Sequence, residues 1–295
     1  MLRRPVITRF APSPSGPLHV GHLLAAYEAR RLADAHGGCC LLRIEDIDLA
    51  RTRDPRWVEL LHEDMAWMGL HFDGEEMVQS RRFGVYRAAL EELRRMGLVY
   101  PCFCTRAEIR AQWEEAARAP HGSPGKLYPG TCRHLPPDLV AERLAAGLPC
   151  AWRLNMRRVE ESIGCPLWED LRRGVQRCVP SACDDAVLAR KDTPVSYHLA
   201  VVVDDAAQRV SLVTRGEDLF ESTHIHRALQ AVLGLPTPTY CHHGLLRDAQ
   251  GKRLAKRDGA RSIAALRAAG ATPSAVRESL QRALRRGGVW ELPSC

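Results

Sequence analysis

Apolar positions in this chain recur with two periods, and the alternation between them sets the expected architecture. Val6, Ile7 and Phe10 lie in a β-rich opening that runs into a loop of Pro, Ser and Gly; Leu18, Leu23, Leu24, Tyr27 and Leu32 then recur at helical spacing. Cys39–Ile44 is a short, nearly continuous apolar run, as expected of a parallel strand buried on both faces. The pattern predicts strands over 5–10 and 39–45 and helices over 18–35, 55–68 and 83–96. Strands alternating with helices predict an α/β fold built on a doubly wound parallel sheet. The rhythm breaks near Tyr100, where a Cys- and Pro-rich stretch begins that lasts to about Asp185. Strand signals resume at Tyr197–Val203 and Val210–Thr214, followed by helical patterns over 222–233 and about 262–286. The expected organisation is a first half-fold over 1–99, an insertion over 100–185, a second half-fold over 186–260 and a short helical C-terminal segment over 261–295.

Composition narrows the class. No run of about eighteen apolar residues is present, so no transmembrane helix and no membrane partner are expected. Met1–Pro5 leads straight into the first strand without a signal-peptide core. Eleven cysteines, an odd number scattered along such a chain, favour reduced thiols and a metal site over disulfides, and a cytoplasmic location. The formal charge is +7, and ten basic residues between Gly251 and Arg286 face only Asp258 and Glu278. A basic block of that kind suits a polyanion such as RNA; the alternative is solvated Arg on helix faces.

Three patterns carry chemistry. The first is His19-Val20-Gly21-His22, where a strand enters a Gly/Pro loop and then a helix. That arrangement aims backbone N–H groups at an anion, and the two imidazoles share one helical face. They can hydrogen-bond phosphate oxygens without adding a permanent charge. The second is the glycine-bounded basic loop Gly251–Gly259, which holds Lys252 and Lys256, two of only four lysines in the chain. An ammonium suits a moving phosphoryl group as a point charge. The third is Cys102, Cys104 and Cys132, three thiols from two separated turns, a start for tetrahedral zinc. Tyr128, His121 and His134 are nearby candidates for a fourth ligand.

In context, these patterns carry a family resemblance. Arg9-Phe10-Ala11-Pro12-Ser13-Pro14-Ser15-Gly16-Pro17-Leu18-His19 resembles the ATP signature of class I aminoacyl-tRNA synthetases in its glutamyl form. The basic loop is similar to their lysine loop, with Arg253 in place of the first Lys and Ala255 in place of the Ser. Leu42–Asp48, Pro194–Asp205 and Val213–Leu219 resemble three further elements of the same subclass, with Ile47 departing from Thr. The resemblance implies a Rossmann-like class I synthetase fold with a zinc-containing insertion that approaches the acceptor end of tRNA. It implies ATP-binding by Pro12, His19, Gly21, His22 and Lys256, with His19, His22 and Lys256 catalytic. For L-glutamate it implies Arg9, Ala11, Ser13, Glu45, Tyr197 and Arg215, with Glu45 on the α-ammonium and Arg215 on the side-chain carboxylate. One structural Zn2+ would be held by Cys102, Cys104, Tyr128 and Cys132, and Mg2+ would shield the phosphates of ATP.

Only 38 residues follow Arg257, so no anticodon-binding domain is expected. The chain is most similar to the truncated, queuosine-directed branch of the glutamyl family. That resemblance implies activation of glutamate to glutamyl-adenylate without tRNA, then transfer to queuosine at the wobble position of tRNA(Asp), whose cis-diol imitates a terminal ribose. The rival readings are a miniature glutamyl-tRNA synthetase acylating the tRNA 3′ end, a small-molecule nucleotidyltransferase and a non-catalytic zinc/RNA-binding module.

Overall fold

The computed structural model describes residues 5–118, 128–248, 250, 254, 262–286 and 288–291. Lys256, most of the basic loop and His121 lie outside them. The chain opens with β1 (Ile7–Phe10), α1 (Val20–Ala35) and β2 (Cys39–Ile44), then α2 (Leu49–Thr52), α3 (Arg56–Trp67), β3 (Met77–Val78) and α4 (Phe83–Arg95). Strands β1, β2 and β3 are parallel, with Ile7 opposite Cys39 and Phe10 opposite Leu42. The predicted helices and strands of this half are present, each within two residues at either end.

After α4 come β4 (Val99–Cys102), α5 (Arg106–Arg118), α6 (Pro137–Ala145), β5 (Ala151–Leu154), α7 (Met156–Ile163), β6 (Leu167–Asp170), β7 (Gly174–Arg177) and β8 (Val187–Ala189). Strands β4, β5 and β8 form a separate antiparallel sheet. The β6–β7 hairpin, although inside the Cys/Pro-rich stretch expected as an insertion, belongs to a four-stranded sheet of order β7-β6-β10-β9, in the second half of the fold. The chain continues through α8 (Tyr197–Ala207), β9 (Leu212–Gly216), α9 (Ser222–Val232), β10 (Thr239–His243), α10 (Ile263–Ala268) and α11 (Pro273–Arg285). Strand β10 is parallel to β9 on one side and to β6 on the other, where Tyr240 faces Asp170. The halves meet at β1 and β9. The Ser211 N–H donates to the Ile7 carbonyl at 2.9 Å, and the Ile7 N–H donates to the Ser211 hydroxyl at 2.9 Å. Strand order therefore reverses between β1 and β9, the position where doubly wound sheets open a ligand crevice beyond their strand ends.

Helices cover both faces of this sheet. One core gathers Leu23, Leu24, Leu61, Met65, Val276 and Leu280, from α1, α3 and α11. The other gathers Leu90, Leu93, Val159, Leu199, Val202 and Leu229, from α4, α7, α8 and α9. Residues 197–203, expected as a strand, form the first two turns of α8. The β-branched run Val201-Val202-Val203 favours a strand locally, but Leu199, Ala200, Val201 and Val202 are all buried as α8 packs between α4 and α9. An all-round apolar segment of this length fits a buried helix as well as a buried strand, and packing decides. Asp204 of α8 fixes that docking: buried, it accepts from Arg82 Nε (2.8 Å), Gln79 Nε2 (2.8 Å) and the Tyr86 hydroxyl (2.7 Å).

The helical pattern over 262–286 is two helices. The Thr272 hydroxyl accepts from the Ala275 N–H at 3.2 Å, and Pro273 occupies the first turn, so α11 starts afresh. Past α11 the chain turns back and pairs with Arg247. The Arg247 N–H donates to the Gly288 carbonyl, and the Trp290 N–H to the Arg247 carbonyl, both at 2.8 Å. Gly288 has φ +96°, and a Cβ there would lie 2.4 Å from the Leu245 carbonyl oxygen. Among the described residues, no helix is long and apolar enough to cross a membrane.

Candidate active site

A cavity of about 260 Å³ opens at the carboxyl ends of β1, β2, β9 and β10. Its lining brings together Arg9, Ala11, Pro12, His19, Gly21, His22, Glu45, Tyr197 and Arg215, all proposed from sequence. Ser13 is exposed and is not among the lining residues. Lys256 lies outside the described residues, but Leu254 of the same loop lines the cavity and donates its N–H to the Leu246 carbonyl at 2.9 Å.

Helix α1 starts at the cavity with an unusual cap. His19 Nδ1 accepts from the Gly21 N–H (3.0 Å), and His22 Nδ1 accepts from the His19 N–H (3.1 Å). Two N–H groups expected to face an anion are thus taken by imidazoles. Because Nδ1 accepts in both rings, a neutral ring carries its proton on Nε2. Gly21 is needed where it stands, since a Cβ there would lie 2.8 Å from His19 Cε1. The segment after the basic loop is fastened to the same helix start: the Ile263 N–H donates to the Leu18 carbonyl at 2.9 Å.

Charge in the cavity is arranged in two groups. In the first, Asp205 receives Arg9 Nε at 2.9 Å and Arg43 Nη2 at 2.6 Å, while Arg9 Nη1 donates to the Thr214 carbonyl at 3.1 Å. Glu45, 13% exposed, stands 4.0 Å from Arg43 Nη1. Burial pushes its carboxyl up to about 7, against the opposing pull of Arg43 and Arg9. In the second group, Arg215 donates Nε–H to His242 Nε2 (3.1 Å) and Nη1–H to the Tyr197 hydroxyl (3.2 Å) and His226 Nδ1 (3.0 Å). Its Nη2 donates to the Thr223 hydroxyl. Behind these, His242 Nδ1 meets Asp170 Oδ2 at 2.6 Å, and His226 Nε2 meets His198 Nδ1 at 3.1 Å.

Sequence patterning missed Asp205, His226, His242 and Asp170 as members of this site. Their elements, α8, α9, β10 and β6, are far apart in the chain, and no spacing relates them. Arg43 and Asp205 stood in the matched segments without an assigned task.

A second cluster sits in the insertion. The sulfurs of Cys102, Cys104 and Cys132 lie within 4.8 Å of one another, with Cys104 and Cys132 at 3.4 Å. The Tyr128 hydroxyl lies 3.3 Å from Cys102 Sγ and 3.6 Å from Cys104 Sγ, and accepts from the Cys132 N–H at 2.9 Å. Three thiols and one phenol oxygen facing one point fit a tetrahedral zinc, whose sulfur–sulfur edges are about 3.8 Å for Zn–S bonds of about 2.3 Å. Among the described residues, His134 is not part of the cluster.

Comparison with known proteins converges on one family. Residues 5–289 match the family described as tRNA synthetases class I (E and Q), catalytic domain. A glutamyl-Q tRNA(Asp) synthetase of Rhodobacter capsulatus is 50% identical over 282 residues, spanning 92% of this chain and 98% of that protein. One from Nocardia farcinica is 46% identical over 268 residues, spanning 91% of this chain and 81% of that protein. A glutamate tRNA ligase from Elizabethkingia meningosepticum, crystallised with its amino acid, superposes with a TM-score of 0.73 at 30% identity. That superposition covers 87% of this chain and 53% of the larger protein, so this chain spans about half the length of that structure.

Proposed function

The chain belongs to the class I tRNA synthetases of the E and Q type, and from that membership we propose that it activates L-glutamate with ATP and transfers it to queuosine in tRNA(Asp). It is a ligase of the aminoacyl-tRNA synthetase type. One observation carries the reading of the site: Arg9, Arg215 and Glu45 share a single crevice with the His19–His22 helix start.

Glu45 takes the α-ammonium of glutamate. Arg215, through Nη2, and the Tyr197 hydroxyl hold the side-chain carboxylate, with Arg9 and Ala11 completing the pocket. ATP enters as its Mg2+ complex over Pro12, Gly21 and the imidazoles of His19 and His22, with Lys256 on the phosphates. The α-carboxylate oxygen attacks the α-phosphorus in line, a C–O–P bond forms, and the bond to pyrophosphate breaks. The Nε2 protons of His19 and His22 and the Lys256 ammonium stabilise the charge that builds on the phosphates; no protein nucleophile takes part. The acceptor hydroxyl of queuosine then attacks the carbonyl of the adenylate and releases AMP.

The parallel strands and their covering helices, with β6 and α7 of the expected insertion among them, carry activation, and one Zn2+ on Cys102, Cys104, Tyr128 and Cys132 would tie together two turns beside the small antiparallel sheet. That ion supplies cross-linking of two turns, not reaction chemistry. A reducing, cytoplasmic setting is our reading of the odd cysteine count together with the thiol cluster.

Glutamate-dependent ATP–pyrophosphate exchange should proceed without tRNA. Labelled glutamate should then load tRNA(Asp) containing queuosine, be blocked by periodate cleavage of the cyclopentenediol, and survive removal of the terminal adenosine. Loading of the 3′ ribose of tRNA(Glu), or equal loading of tRNA(Asp) lacking queuosine, would overturn the acceptor assignment in favour of a miniature glutamyl-tRNA synthetase.

A further inference from the structure

Arg215 differs from the other buried guanidiniums near the cavity in what it touches. Arg9 and Arg43 both hold the Asp205 carboxylate, at 2.9 and 2.6 Å. Among the described residues, no carboxylate lies within 4.0 Å of Arg215, although it is only 6% exposed. Four of its N–H groups go to neutral acceptors: His242 Nε2, His226 Nδ1, the Tyr197 hydroxyl and the Thr223 hydroxyl. The nearest acid in this chain of contacts, Asp170, stands one imidazole further back.

We propose that His226 and His242, steadied by His198 and Asp170, are specificity-determining residues that orient Arg215 through uncharged acceptors, so that its whole charge is offered to an anionic amino-acid side chain. This rests on the reading of Arg215 as the partner of the substrate's side-chain carboxylate. The physical reason is electrostatic. A guanidinium already paired with a carboxylate presents little net charge and treats a carboxylate and a carboxamide alike; one held by lone pairs of neutral rings does not.

The hydrogen bonds fix the tautomers that this requires. His242 accepts at Nε2 and donates Nδ1–H to Asp170; His226 accepts at Nδ1 and donates Nε2–H to His198. The surroundings keep the rings uncharged. Burial and Arg215 hold His226 well below its ordinary value, and burial lowers His198 and His242 to about 4. Arg215, His198 and Tyr197 face His226, with Arg9 and His242 further off, and none of these is an acid. Around His242 stand Asp170, Arg215, Thr223, Arg173 and the rings of Trp168, Phe220 and Tyr240.

Two nearly isosteric substitutions isolate the charge. In His226→Asn the amide oxygen replaces Nδ1 as a neutral acceptor; His226→Asp places a carboxylate in the same volume. Pyrophosphate exchange on the full chain, with glutamate and with glutamine, reads both. We expect His226→Asn to raise the glutamate KM by no more than roughly threefold and to keep the preference over glutamine. His226→Asp should raise it roughly tenfold or more and erode that preference equally, with the ATP KM unmoved in both. The pair His242→Gln and His242→Glu repeats the comparison from the Nε2 side, should either His226 variant fail to fold. Equal behaviour of the neutral and charged members in both pairs would overturn the proposal. Arg215→Gln separates the two layers. If it leaves the glutamate KM unchanged, the pocket reading itself falls; if it raises the KM while the histidine pairs show no charge effect, only the present inference falls.

Discussion

Glu45 is the side chain whose ionisation the cavity controls most directly. Burial lifts its carboxyl to about 7, so near neutrality a large fraction is protonated before substrate arrives. In the pocket proposed above, the α-ammonium is received by the carboxylate form alone, and a raised pKa means that form appears as pH rises. The kcat/KM for glutamate should therefore climb through about pH 7 and level off above it, a limb that belongs to the free protein. Glu45→Gln should flatten that limb and lower kcat/KM at pH 8 by roughly tenfold. An unchanged limb in that variant would assign the ionisation to another group. Residues of this kind were legible in the sequence where the chain itself keeps them together, as Arg9, Ala11, Pro12 and His19 show. Asp205 and His226 were not, because their meaning comes from Arg9 and Arg215, which reach them only after the sheet has closed. His19 and His22 were legible as a pair; their use as each other's cap was not, since it depends on which ring nitrogen faces the backbone.

At the scale of elements, the parallel strands and their covering helices followed from period and length, and α8 did not. Its apolar residues point in all directions because α4 and α9 cover it on different sides, so neither period shows. Asp204 is what such a helix needs if it is to sit in one register, an acid with three donors waiting. Asp204→Leu removes the acceptor of Arg82, Gln79 and Tyr86 together and should cost about 3 kcal/mol of unfolding free energy, seen as a lower urea midpoint with an unchanged slope. A loss below about 0.5 kcal/mol would mean these donors find other partners. The Cys/Pro-rich stretch marked the insertion by composition, yet composition is blind to strand pairing. It therefore could not show that β6 pairs with β10, and β7 with β6, outside the small sheet.

Across the whole molecule, the cavity wall at Leu245 and Leu246 is braced by the segment Gly288–Trp290, which bridges to Arg247. Leu246 also holds Leu254 of the basic loop assigned to ATP, so Gly288→Val, which would drive a side chain into the Leu245 carbonyl, should raise the ATP KM roughly tenfold while sparing the glutamate KM. Gly147→Ala is the control: its φ is also positive, at +69°, but a Cβ there meets nothing within 4 Å. It should lower stability by about 1 kcal/mol and leave both constants alone. If both KM values rise together in Gly288→Val, the Gly288–Trp290 segment supports the fold in general and not the basic loop in particular. The same architecture has a consequence for synthesis. Strand β1 leaves the ribosome more than 200 residues before its partner β9 and the brace at Trp290. At about 5–20 residues per second, the nascent chain carries a half-built sheet with an open edge for some tens of seconds. Its first half is therefore a natural client for chaperones, and the crevice is complete only once Gly288–Trp290 has paired with Arg247.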